Sequence, residues 1–146
     1  MFPFCQPLNS NFFKKVFAKL FVFLKLRETN NGYTLNITGG TNMYPSSYDA
    51  KGNSCIKFGT SSKTGSMTFT VPENVTEVVI CVAKYKANTT KINVNGTEYT
   101  LTNSSNDGAY DEIVIDTTTT KTISFATVSG GVRAMVNTIV FNGYAQ

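Results

Sequence analysis

The chain has no histidine and no tryptophan among its 146 residues, and only 15% of it is charged. Without histidine the commonest general base and the commonest metal ligand are missing, and with them every Ser-His or Cys-His catalytic arrangement. Cysteine is scarce: Cys5, Cys55 and Cys81 have no metal-ligand spacing, and an odd count fits no complete disulfide framework. No D-x-D-x-D-G string offers a calcium loop. The most apolar run near the start is too short and too interrupted by lysine to span a bilayer.

What the chain does have is Thr, Asn, Ser and Gly in abundance, with Val, Ile and Phe supplying the apolar content. That is the balance of an all-β extracellular module, and the length suits one domain that buries its own core. The formal charge of +4 hints at nucleic acid until it is divided along the chain. Lys14, Lys15, Lys19, Lys25 and Arg27 against Glu28 account for the whole excess, and from Tyr33 onward acids and bases cancel. The folded part therefore has no basic balance with which to hold phosphates, and no nucleic-acid partner is expected.

Residues 1–32 differ in kind from the rest. At a helical period Lys14, Lys15, Lys19 and Lys25 fall in one sector, with Phe13, Phe17, Leu20, Phe21 and Leu24 opposite, so this stretch reads as a basic amphipathic helix or a disordered tail outside the core. Three accounts compete: a poor export signal, a membrane-surface anchor, or a start region that is not part of the domain. Membrane contact, if any, is expected through this segment alone.

From residue 33 strand signals recur at intervals of a sandwich or barrel. Residues 33–38 (YTLNIT) alternate and stop at Gly39-Gly40, and a polar loop, TNMYPSSYDAKGN, follows. Ser54–Phe58 is the next strand, and residues 66–71 alternate again, with Met67, Phe69 and Val71 on one face. Residues 78–83 (VVICVA) are apolar on both faces and mostly β-branched, which places them inside a sheet covered on both sides. Cys81 reads there as a free thiol acting as a small hydrophobe, with a Cys55–Cys81 bridge as the alternative. Asn95-Gly96 between INV and TEYTL requires a two-residue type I′ hairpin, pairing Val94 with Thr97 and Ile92 with Tyr99. Residues 111–116, 121–127 and 132–141 complete about nine strands. Two antiparallel sheets in a jelly-roll β-sandwich over residues 33–146 bury that many one-sided strands most simply, around Phe69, Ile80 and Phe125.

The segments IKFGTSSKTGSMTFTVP, TEVVICVAKYKANTTKINVNG and IDTTTTKTISFATVSGGVRAMVNTIVF together resemble the jelly-roll accessory domains of secreted and surface-attached bacterial proteins, the carbohydrate-binding modules and galactose-binding-like domains. The resemblance covers about residues 33–142. It implies a non-catalytic module, secreted or at the cell surface, that binds carbohydrate or another extracellular partner through end loops or a sheet face. The same fold also serves as a ligand-free spacer. Lacking tryptophan, the chain departs from sugar-binding members in their usual stacking platform, for which tyrosine can substitute.

Candidate ligand-binding residues are Tyr44 and Tyr48, flanking Pro45-Ser46-Ser47, together with Tyr110 after the Asn106-Asp107-Gly108 turn and Arg133 after Gly130-Gly131. A guanidinium at Arg133 suits a carboxylate or a sugar hydroxyl, or pairs with Asp111 or Glu112. No catalytic residue is expected. No cofactor is called for, and a structural calcium would have to draw on Asp49, Asp107, Asp111 and Glu112. Five N-x-S/T sequons, at Asn36, Asn74, Asn88, Asn95 and Asn103, carry little weight in a chain this rich in Asn, Ser and Thr.

Overall fold

A computed structural model describes residues 23–24 and 35–142. Among these residues there is no helix, and eleven strands follow in chain order: β1 (Phe23–Leu24), β2 (Leu35–Thr41), β3 (Met43–Tyr48), β4 (Ser54–Phe58), β5 (Ser66–Thr70), β6 (Glu77–Lys84), β7 (Thr90–Val94), β8 (Thr97–Leu101), β9 (Asp111–Asp116), β10 (Thr122–Thr127) and β11 (Ala134–Asn142). They form a six-stranded sheet in the order β1-β2-β5-β10-β7-β8 and a five-stranded sheet in the order β3-β4-β11-β6-β9. All strand pairs are antiparallel. Consecutive strands share a sheet only at β1–β2, β3–β4 and β7–β8; every other connection crosses between layers, as in a jelly-roll sandwich.

The alternating strands deliver their apolar faces to one core. Met67 and Phe69 of β5, Ile123 and Phe125 of β10, and Ile92 and Val94 of β7 meet Ile56 and Phe58 of β4, Val78, Ile80 and Val82 of β6, and Ile139 of β11. The Phe58 and Phe125 rings lie 4.9 Å apart and tilted by 56°, a contact that joins the two layers. Val94 pairs with Thr97 and Ile92 with Tyr99, and Asn95 (φ 49°) and Gly96 (φ 87°) both take the positive φ of the type I′ turn.

Four expectations are corrected. Phe23 and Leu24 are not helical; they form a short strand on Asn36 and Leu35, and the remainder of the expected leader helix lies outside the described residues. β2 does not stop at Gly39-Gly40 but continues to Thr41, absorbing one residue in a bulge between Ile37 and Gly39. The expected loop after it contains β3. Pro45 is tolerated there because β3 is an edge strand and the proline sits within a bulge between Tyr44 and Ser47. Finally, Cys81 is disulfide-bonded rather than free, and Cys55 is the free thiol, so the two are not bridged. Cys81 lies on the outer side of β6 with Val79 and Ala83, not between the sheets, where a sulfur would meet only core side chains.

β6 is covered on both sides, as its composition demands. Its outer side is crossed by residues 102–110, which leave β8 in one sheet to reach β9 in the other. This crossing segment is tied to β6 by Lys84 N–H to the Asn103 carbonyl (2.9 Å) and by Ser105 N–H to the Lys84 carbonyl (3.0 Å). It is tied to the chain after β3 by Ala50 N–H to the Ser105 carbonyl (2.9 Å). Tyr110 then packs with Cys55, Val79, Cys81, Ala83 and Met135 in a second apolar cluster outside the sandwich core.

Candidate functional site

Beyond that crossing segment, the same outer side of the five-stranded sheet carries two aromatic rings and three cations. Register places them. Tyr44 on β3 is opposite Lys57 on β4, Lys57 is opposite Met135 on β11, and Met135 is opposite Ala83 on β6. One step further along, the backbone N–H of Tyr85 donates to the Arg133 carbonyl at 3.0 Å, which brings those two side chains side by side. Lys57 Nζ lies 4.6 Å from the Tyr44 ring centre and 5.9 Å from that of Tyr85. Lys86 Nζ is 5.4 Å and Arg133 Cζ 4.2 Å from the Tyr85 ring. These are cation–π distances, so each ring attracts the charges beside it.

Local backbone holds the row in place. Lys86 has φ of 57°, a left-handed conformation uncommon for a residue with a side chain. Ser105 and Ser104 of the crossing segment fix it: Lys86 N–H donates to Ser105 Oγ at 2.9 Å, and Ser104 Oγ–H to the Lys86 carbonyl at 2.5 Å. Arg133 follows a turn packed backbone against backbone on the loop after β4. A Cβ at Gly130 would stand 2.4 Å from the Ser62 carbonyl oxygen, and one at Gly59 (φ 85°) 2.5 Å from that of Val132. Only glycine permits that approach.

The guanidinium of Arg133 has no hydrogen-bond or carboxylate partner among the described residues, and its Nε is buried without one. Asp111, one of the two acids expected to pair with it, is engaged elsewhere, accepting from Thr102 N–H (2.8 Å), Thr102 Oγ–H (2.5 Å), Asn103 N–H (3.1 Å) and Asn103 Nδ2 (2.9 Å).

The four residues expected from sequence do not form one group. Tyr44 is 39% exposed and shares the row with Arg133. Tyr48 is 48% exposed but pairs with the buried Ser54, and the bulge in β3 turns it to the opposite side from Tyr44. Tyr110 is only 7% exposed; its hydroxyl donates to Asp49 Oδ2 and lies 3.4 Å from Cys55 Sγ. The other Asp49 contacts come from the amides of Lys51 (2.8 Å) and Asn53 (2.9 Å) and the Asn53 side chain (2.8 Å). Tyr110 thus belongs to the scaffold that pins the crossing segment. Burial first, then Cys55 and the bond to Asp49, holds its phenol protonated far beyond the usual tyrosine range. Burial likewise pushes the Cys55 thiol up to about 11, partly offset by Tyr110, so it is no nucleophile near neutral pH.

Lys57, Tyr85 and Lys86 were not singled out in the sequence. Lys57 carried a signal, since alternation in SCIKF turns it away from Ile56 and Phe58; Tyr85 and Lys86 follow the strand end and carried none. The carboxylates considered for calcium do not gather: among the described residues no three acidic, cysteine or histidine side chains are placed to hold a metal.

No protein-family model matches this chain, and no curated protein does. Among solved structures it is similar to CsCBM6-3 from Clostridium stercorarium, in complex with cellobiose, at 18% identity over 74% of this chain and 88% of that one, with a TM-score of 0.44. It is also similar to a family two carbohydrate esterase from Clostridium thermocellum, in complex with cellohexaose, at 10% identity, 71% of this chain and a TM-score of 0.40. A third is a family GH115 4-O-methyl-alpha-glucuronidase with specificity for decorated arabinogalactans, at 12% identity, 71% of this chain and a TM-score of 0.39. The chain spans 31% of the esterase and 16% of the glucuronidase.

Proposed function

We propose that this domain is a non-catalytic carbohydrate-binding module of a secreted or cell-surface protein, and that it takes its ligand on the row formed by Tyr44, Lys57, Tyr85 and Arg133. The observation that carries the reading is the row itself. Tyr44 offers a partly exposed ring with a polar tip, and hydrogen-bond donors converge beside it and around Tyr85, the combination a sugar ring with its hydroxyls needs. A non-catalytic role is supported by the chemistry of the thiol and carboxylate groups. The Cys55 thiol is held protonated, and Asp49 and Asp111 are bound by the protein's own donors.

Binding of the full chain to an immobilised polysaccharide panel tests this. Retention on at least one polymer that falls about tenfold in Tyr44→Ala, with unfolding unchanged, is the expected result, since loss of a ring platform removes on the order of 1–3 kcal/mol of contact. A ligand-free spacer would be retained on none.

A further inference from the structure

We infer that the ligand is an acidic sugar, a uronate whose carboxylate is taken by Arg133 with Lys57 and Lys86 alongside; this rests on the carbohydrate reading of the same row. Charge in the row is unbalanced. Three cations gather around the Tyr85 ring, and none of them pairs with a carboxylate among the described residues. Two other lysines of the sandwich do find oxygen. Lys91 meets Glu98 at 2.7 Å, and Lys121 donates to the carbonyls of Glu73 and Val75, each at 2.8 Å. Like charges held this close repel, and an anion placed among them relieves the repulsion.

The position of Arg133 selects the kind of anion. With Cζ 4.2 Å from the Tyr85 ring centre and Nε buried, its guanidinium keeps its two Nη groups, for which no partner lies among the described residues. That planar fork matches a carboxylate in two parallel hydrogen bonds, while Lys57 and Lys86 act as point charges. The half-exposed Tyr44 ring beside Lys57 then supports the sugar ring that bears the acid.

The experiment measures retention of the full chain, at low and high salt, on polygalacturonate and alginate, on the same polymers after carboxyl reduction, and on neutral and sulfated polysaccharides. The inference expects retention on an acidic polymer, loss of at least tenfold on carboxyl reduction, and weakening by salt. Arg133→Gln and Arg133→Lys should each lose about tenfold, because lysine keeps the charge without the fork, and Lys57→Gln should lose less. Equal retention on the reduced polymers, or preference for sulfated ones, overturns the acidic-sugar inference and leaves the carbohydrate reading standing. Acidic retention indifferent to both Arg133→Gln and Lys57→Gln overturns it as well. Retention on no polysaccharide removes both.

Discussion

The guanidinium carbon of Arg133 lies 4.2 Å from the centre of the Tyr85 ring, and the backbone joins the same two residues through Tyr85 N–H and the Arg133 carbonyl. The pair is therefore locked at main chain and side chain together. Tyr85→Phe keeps the ring under the guanidinium and should leave the unfolding midpoint nearly unchanged. Tyr85→Ala removes it, at a cost of at least about 0.5–1 kcal/mol for the cation–π contact, to which the lost packing of the ring on the second apolar cluster adds. Thermal denaturation of the two variants checks this, and equal loss in both would mean that the hydroxyl, not the ring, holds Arg133.

Tyr110→Phe removes the hydroxyl donor to the buried Asp49, leaving that carboxylate one partner short. Hydrogen bonds to charged groups are worth roughly 1.5–3 kcal/mol, so urea denaturation should report a loss of that order. A loss below about 0.5 kcal/mol would show that the crossing segment is held by its backbone bonds alone.

The raised Cys55 thiol gives stability a dependence on alkaline pH. Its folded value of about 11 stands above the ordinary 9.0, so between those values the native state binds more protons than the unfolded chain. Stability is then fully present below about pH 9 and falls as pH rises through 11, with Tyr110 acting in the same direction. Two pH units correspond to roughly 2–3 kcal/mol. Denaturation midpoints from pH 7 to 11 should show a plateau and then a decline that is shallower in Cys55→Ala. An identical decline in the variant would remove the thiol as its source.

Lys86→Gly should separate backbone strain from charge. A left-handed non-glycine residue costs about 1–2 kcal/mol, while glycine's extra chain freedom returns roughly 0.5–1 kcal/mol of that relief. Stability should thus hold or rise slightly, while retention on an acidic polymer falls. A clear loss of stability would mean that the lysine side chain, rather than Ser104 and Ser105, holds the turn.

How far the sequence could be read follows from which interactions are local. The Asn95-Gly96 hairpin was legible down to its register because the turn residues themselves dictate φ, and residues 78–83 could be read as a two-sided strand because β-branching and continuous apolarity leave little else. β3 was not legible. Pro-Ser-Ser reads as loop, and what admits it to a sheet is an edge position and a bulge, both properties of the partner strand. That bulge also separates Tyr44 from Tyr48, which sequence spacing alone would keep on one side. Tyr44 and Arg133 were recognisable as candidates, but their meeting through Lys57 and Tyr85 depends on strand order across β3, β4, β11 and β6, which no local signal encodes.

The most direct measurement is amide chemical-shift mapping of the labelled chain, titrated with an oligosaccharide cut from a polymer that retains it. The account predicts saturable shifts centred on Tyr44, Lys57, Tyr85, Lys86 and Arg133, with the Asn95-Gly96 hairpin and the outer side of the six-stranded sheet unmoved. Shifts gathered on Tyr48 or on that opposite sheet instead, with the row unmoved, would contradict it.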